Sequence, residues 1–182
     1  MGYLGLPFSI AVNHEKTATD TREDQGIIDF VIHNALIKIK HDPDMLQDKN
    51  VVIIGCDSAI LSCDDQLILK PIDLSEAKEM LKQLMHEPHS IFSGIAVWDI
   101  STGRINTRHD KTKVYLQTLS DDEMDHYVSI INPLDHLGGY AKTGKGAMLV
   151  EKIEGSYFNL LGLPLNKLMG LLKECGINIL GS

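Results

Sequence analysis

Apolar positions recur along the chain at two periods, and the change from one to the other separates helices from strands. Ile27, Ile28, Val31, Ala35 and Ile39 share one face of a helix, so the segment from Asp20 to about Lys40 reads as helical, opened by an Asp20–Glu23 capping box. Val51-Val52-Ile53-Ile54-Gly55-Cys56 is instead a continuous, largely β-branched run. That pattern suits a strand buried on both faces, and the run ends at Asp57. A second helix follows Pro71, with Asp73 as cap, Glu76 three residues on, and Ala77, Met80, Leu81 and Leu84 as its buried face.

Ile91 to Ile100 and Lys113 to Leu119 read as strands, separated by a polar, hairpin-like excursion around Ser101-Thr102-Gly103. Ser120-Asp121-Asp122-Glu123 spells a capping box for the helix carrying Met124 and Tyr127. Ala147 to Ile153 and Tyr157 to Leu161 read as further strands, and a last helix runs from Pro164 to a terminating Gly176. No repeat, low-complexity tract or linker divides the chain, so residues 1–182 read as one domain. Helices mixed with strands, with few consecutive βαβ units, predict an α/β fold: a mixed, twisted sheet flanked by helices.

Composition narrows the function classes. A net charge of -8 argues against binding nucleic acid polymers or anionic membranes, which select basic patches. An anionic small molecule stays in play, because a few local cations or a divalent metal can invert the field of one site. No stretch is long and apolar enough to span a membrane, and the three cysteines lack CxxC spacing. Reduced, mostly buried thiols in a cytoplasmic protein are expected.

Asp57 is the strongest chemical candidate, since a carboxylate closing a buried strand can bind a hard cation or take a proton from water. Lys70, beside Pro71 and after the apolar run Leu67-Ile68-Leu69, can act as a point charge for phosphate, although a solvated turn lysine has the same spacing. The segment Gly138-Gly139-Tyr140-Ala141-Lys142-Thr143-Gly144-Lys145-Gly146 lets backbone amides approach a ligand but lacks P-loop order, and equally suits a structural turn. The eight histidines form no metal motif and read as surface or turn residues.

Taken in order, Gly55-Cys56-Asp57-Ser58, Leu69-Lys70-Pro71, and Glu76-Ala77 with Met80-Leu81 and His89 resemble the middle signature of the Maf family of nucleoside-triphosphate pyrophosphatases. Pro133-Leu134-Asp135 with Gly138-Gly139-Tyr140 resembles that family's next block. Ile153-Glu154-Gly155-Ser156-Tyr157 with Asn159 and Gly162-Leu163-Pro164-Leu165 is similar to its final one. The resemblance implies two lobes around a cleft and hydrolysis of dTTP, UTP or modified nucleotides to monophosphate and pyrophosphate, with Mg²⁺ or Mn²⁺. By the same likeness Asp57, Lys70 and Glu15 are the catalytic residues, and Asp57 and Glu15 hold the metal. Ser58, Asn34, Gly139, Lys142 and Thr143 contact substrate, Ser58 standing at a base-specificity position.

Four departures accompany it. The chain is expected to begin after the family's first strand and its Ser-x-Ser-Pro-Arg-Arg-like loop, an opening that would favour strand pairing in a homodimer. Asn34 replaces a lysine, Thr143 a glutamine or glutamate, and His136 a lysine. Lost cations weaken phosphate neutralisation, so two readings follow: the enzyme itself, or a catalytically impaired relative that serves as a nucleotide-binding or interaction module.

Overall fold

The computed structural model describes residues 5–11, 26–40 and 50–179. Within them lie α1 (Ile27–Ile39), β1 (Val52–Leu61), β2 (Leu67–Ile68), α2 (Leu74–His86), β3 (His89–Asp99), β4 (Arg104–Leu116), α3 (Asp121–Ile130), β5 (Val150–Glu154), α4 (Tyr157–Leu160) and α5 (Leu165–Glu174). The strands form one sheet in the order β2-β1-β3-β4-β5. This is the helix-flanked sheet of an α/β protein, with β1 internal as its apolar run predicts. Where a mixed sheet was expected, the pairing is antiparallel at both edges: Ile60 opposes Ile68, and Val114 opposes Ile153. The short link 62–66 suffices for the first of these pairings.

The chain divides into two compact units. Met1–Asp57, Gly94–His109 and Leu165–Ser182 form the first; Ser58–Ser93 and Asp110–Pro164 form the second. In the first, Ala35 and Ile39 of α1 bury against Ile53 of β1 and Ala96 of β3. Two glycines allow the helix that close. A Cβ on Gly55 would lie 2.4 Å from the Ala35 carbonyl oxygen, and one on Gly94 would lie 2.4 Å from that of Val31. No real side chain tolerates such contacts, so glycine is what lets α1 rest on the strand backbone.

The second unit is built around Ile60, Leu81, Ile91, Val114, Met124 and Tyr140. Its helix starts follow the predicted chemistry. The Asp73 side chain accepts from Glu76 N at 2.8 Å, and Ser120 and Glu123 form the reciprocal capping box of α3. Beside them, Thr112 Oγ1 accepts from Ser156 N (3.1 Å) and from Asn159 Nδ2 (2.9 Å), while Asn159 Nδ2 also donates to the Ile91 carbonyl. Much of the Gly155-Ser156-Tyr157-x-Asn159 pattern is therefore a structural knot.

Several boundaries differ from the sequence reading. β1 does not stop at Asp57 but continues to Leu61, because Ala59-Ile60-Leu61 returns it to the core. β4 starts at Arg104 rather than Lys113; its exposed first half is polar and shows no apolar alternation. Gly144–Leu149 is a 3₁₀ turn, so β5 begins at Val150 instead of Ala147. Tyr157–Leu160 is helical, since Ser156 caps it by accepting from Asn159 N. The cap residues Asp20 and Glu23 proposed for the first helix lie outside the described residues, as does Glu15.

Candidate functional site

Asp57 sits in the middle of β1, and its carboxylate is held by the neighbouring helix. Residues four apart on a helix share a face, and on α1 that face presents Asn34 and Lys38. Asn34 Nδ2 donates to Asp57 Oδ2 at 2.9 Å, and Lys38 Nζ donates to Asp57 Oδ1 at 2.5 Å. The same ammonium donates to the Cys56 carbonyl at 2.9 Å. The Asp57 side chain is only 17% exposed and that of Lys38 38%, so this ion pair is better shielded from water than a surface pair. Burial pushes the adjacent Cys56 thiol up to about 12, with Lys38 partly opposing, so the thiol stays protonated and is no nucleophile.

A carboxylate has about four lone-pair sites. Lys38 and Asn34 take one on each oxygen, and the others can receive a proton from water or face a cation. Among the described residues, no three His, Cys, Asp or Glu side chains converge as a metal shell. Mg²⁺ asks for less: one or two carboxylates, with water and phosphate oxygens completing the octahedron. Among the described residues, Asp57 can supply one such carboxylate.

The second unit holds Ser58, Lys70, Gly139, Lys142 and Thr143. Ser58 projects to the opposite face of β1 from Asp57. Its Oγ lies 2.7 Å from the buried Ser93 Oγ and 3.4 Å from the Gly162 carbonyl, to which it donates. Lys70 is exposed just beyond β2. The carbonyl of Leu69, the residue before it, accepts from Gly138 N at 3.1 Å, which ties the glycine-rich segment to the end of β2. Gly138 and Gly139 adopt φ of +73° and +71°, angles costly for any other residue, so the segment is a defined turn.

Within that segment Gly139 is buried against α2, Thr143 is exposed, and Lys142 is half-buried. Loss of hydration lowers Lys142 to about 8, and no ion-pair partner faces it among the described residues. His89 corrects the surface reading of the histidines: it is 1% exposed, its Nε2 lies 2.8 Å from Tyr140 Oη, and its Nδ1 has no hydrogen-bond partner among the described residues. Burial first, and the Lys142 charge second, lower it to about 4. Nor are the thiols mostly buried: Cys56 and Cys175 are half-buried, and Cys63 is exposed and donates to Glu87.

Of the expected residues, the structure thus brings Asn34 to Asp57, and gathers Gly139, Lys142 and Thr143 in a turn anchored beside Lys70. The sequence reading missed Lys38 and Ser93. The only signal for Lys38 was its position one helical turn after Asn34. A separate cavity of about 210 Å³, lined by Ser62, Cys63, Gln83, His86 and Glu87 among others, contains none of the expected site residues.

Residues 3–175 match the family model described as Maf-like protein. The chain is 36% identical over 180 residues to a dTTP/UTP pyrophosphatase of Dictyoglomus turgidum, covering 99% of this chain and 91% of the relative. It is 32% identical to a dTTP/UTP pyrophosphatase of Dictyoglomus thermophilum (98% and 90% covered), and 39% identical to one of Clostridium botulinum (74% and 69%). No described helix is long and apolar enough to cross a membrane.

Proposed function

This chain belongs to the Maf-like protein family, and we propose that it hydrolyses nucleoside triphosphates of the dTTP and UTP type to the monophosphate and pyrophosphate. The observation that carries the reading is the Asp57 carboxylate, shielded on β1 and gripped at both oxygens while keeping lone pairs to spare. In this mechanism Asp57 accepts a proton from the water that attacks the α-phosphorus, and pyrophosphate leaves. Lys142 and Lys70 offset phosphate charge, the former with a half-buried ammonium that has no ion-pair partner among the described residues.

Asp57 and Glu15 would hold a divalent cation, Mg²⁺ or Mn²⁺, which supplies charge neutralisation on the phosphate oxygens when bound. The free thiols Cys56, Cys63 and Cys175 suit a reducing cytoplasmic setting. Turnover of dTTP in ¹⁸O-labelled water with Mg²⁺ tests the chemistry. The label is expected in the monophosphate and absent from pyrophosphate. Label in pyrophosphate, or release of inorganic phosphate as the first product, contradicts the mechanism.

The impaired-module reading rests on the loss of cations, Asn34 foremost. Lys38 meets that objection in part, because it returns a positive charge to the same helix face one turn later.

A further inference from the structure

We propose that Lys38 is the positioning residue of Asp57: with Asn34 it fixes the direction in which the carboxylate presents its remaining lone pairs. This rests on the reading of Asp57 as the general base.

A lone aspartate on a strand turns about two side-chain bonds, and a single hydrogen bond leaves one of those rotations open. Here the two carboxylate oxygens are held from separate points. Asn34 Nδ2 takes Oδ2 at 2.9 Å and Lys38 Nζ takes Oδ1 at 2.5 Å. Neither donor is loose. Asn34 is 1% exposed, and the Lys38 ammonium is itself pinned by the Cys56 carbonyl at 2.9 Å. Both donors ride on α1, which the missing Cβ of Gly55 allows to lie against the β1 backbone. Helix, lysine and carboxylate are thus referenced to one strand. A base must lie within hydrogen-bond reach of its water along a usable line, and misplacement by about 1 Å can cost on the order of a hundredfold in rate.

A purely structural ion pair would alter stability and leave turnover alone. A lysine that touched substrate would chiefly alter KM. A positioning lysine alters kcat, acts only through Asp57, and can be replaced by another cation of similar reach. The test is steady-state hydrolysis of dTTP with Mg²⁺ by the full chain and its Lys38→Met, Lys38→Arg, Asp57→Asn and Lys38→Met/Asp57→Asn variants, with folding checked by circular dichroism melts.

Lys38→Met is expected to lower kcat roughly ten- to a hundredfold with KM within about twofold. Lys38→Arg is expected to recover most of that loss. The double variant is expected to turn over no more slowly than Asp57→Asn, since residues acting as a unit are non-additive. Should Lys38→Met not fold, the comparison of Lys38→Arg with Lys38→Gln carries the same decision. Wild-type kcat in Lys38→Met beside an inactive Asp57→Asn overturns the positioning role and leaves the proposed function standing. A loss confined to KM, or full additivity in the double variant, overturns it too. Wild-type activity in Asp57→Asn removes the proposed function itself.

Discussion

Adding one carbon at Gly55 should detach the site from its helix. The new Cβ would lie 2.4 Å from the Ala35 carbonyl oxygen, 2.7 Å from Ile39 Cγ2 and 3.2 Å from Lys38 Cβ. The first of these is backbone and cannot rotate aside. Ordinary contact begins near 3.4 Å, so α1 must retreat by about 1 Å along that line. Overpacking of this kind costs about 1–3 kcal/mol. In a chain of this size each kcal/mol shifts Tm by about 2–4 °C. The same retreat stretches the Lys38 and Asn34 hydrogen bonds to Asp57 past useful length, so kcat should fall on the order of a hundredfold. Thermal melts and pyrophosphate release from dTTP measure both effects. Gly170→Ala is the matched control: Gly170 sits in α5 with nothing within 4 Å of its missing Cβ, so alanine there should raise Tm by relieving a helix glycine worth up to about 1 kcal/mol. A Gly55→Ala protein that melts and turns over like wild type would refute the claim that close approach of α1 builds the site.

Two further outcomes follow from desolvated titrating groups. His89 is neutral in both states above its ordinary value of 6.5, but below that the unfolded chain takes up a proton that the folded chain refuses until about pH 4. Stability should therefore fall as pH drops through that window, by up to about 3 kcal/mol, and melts of His89→Gln should show a shallower decline; an unchanged slope would show that His89 is not the titrating group. Lys142 keeps its charge below about 8, so the KM for dTTP should rise above that pH in wild type. Lys142→Met should show a KM raised about tenfold or more and flat with pH, whereas a wild-type KM in that variant would remove Lys142 from the phosphate site.

What the sequence made legible was mostly local chemistry. Asp73 with Glu76 and Ser120 with Glu123 announce α2 and α3, and Pro164 and Gly176 bracket α5, because caps and breakers act within a few residues of themselves. Failures came where tertiary context decides. The polar pair Asp57-Ser58 looks like the end of a strand, yet β1 carries it through because the strand has a neighbour on each side. The first half of β4 is exposed and polar, so only its pairing identifies it. Ser156 was a readable helix cap, hidden by the β-like run that precedes it. At the site, Asp57 stood out by its place after a buried apolar run, and Asn34 through the family resemblance. Lys38 did not, since a lysine on an amphipathic helix looks solvated until a glycine on the facing strand brings the two together.

The most direct test of the account is the effect of Asp57→Asn on pyrophosphate release from dTTP and UTP with Mg²⁺. Asparagine keeps the size of the side chain and removes the charge and the basic oxygen. Proton transfer by a positioned base contributes about a hundred- to ten-thousandfold, so kcat is expected to fall at least that far while the variant remains folded by circular dichroism. A folded Asp57→Asn protein that releases pyrophosphate at the wild-type rate would contradict the central claim.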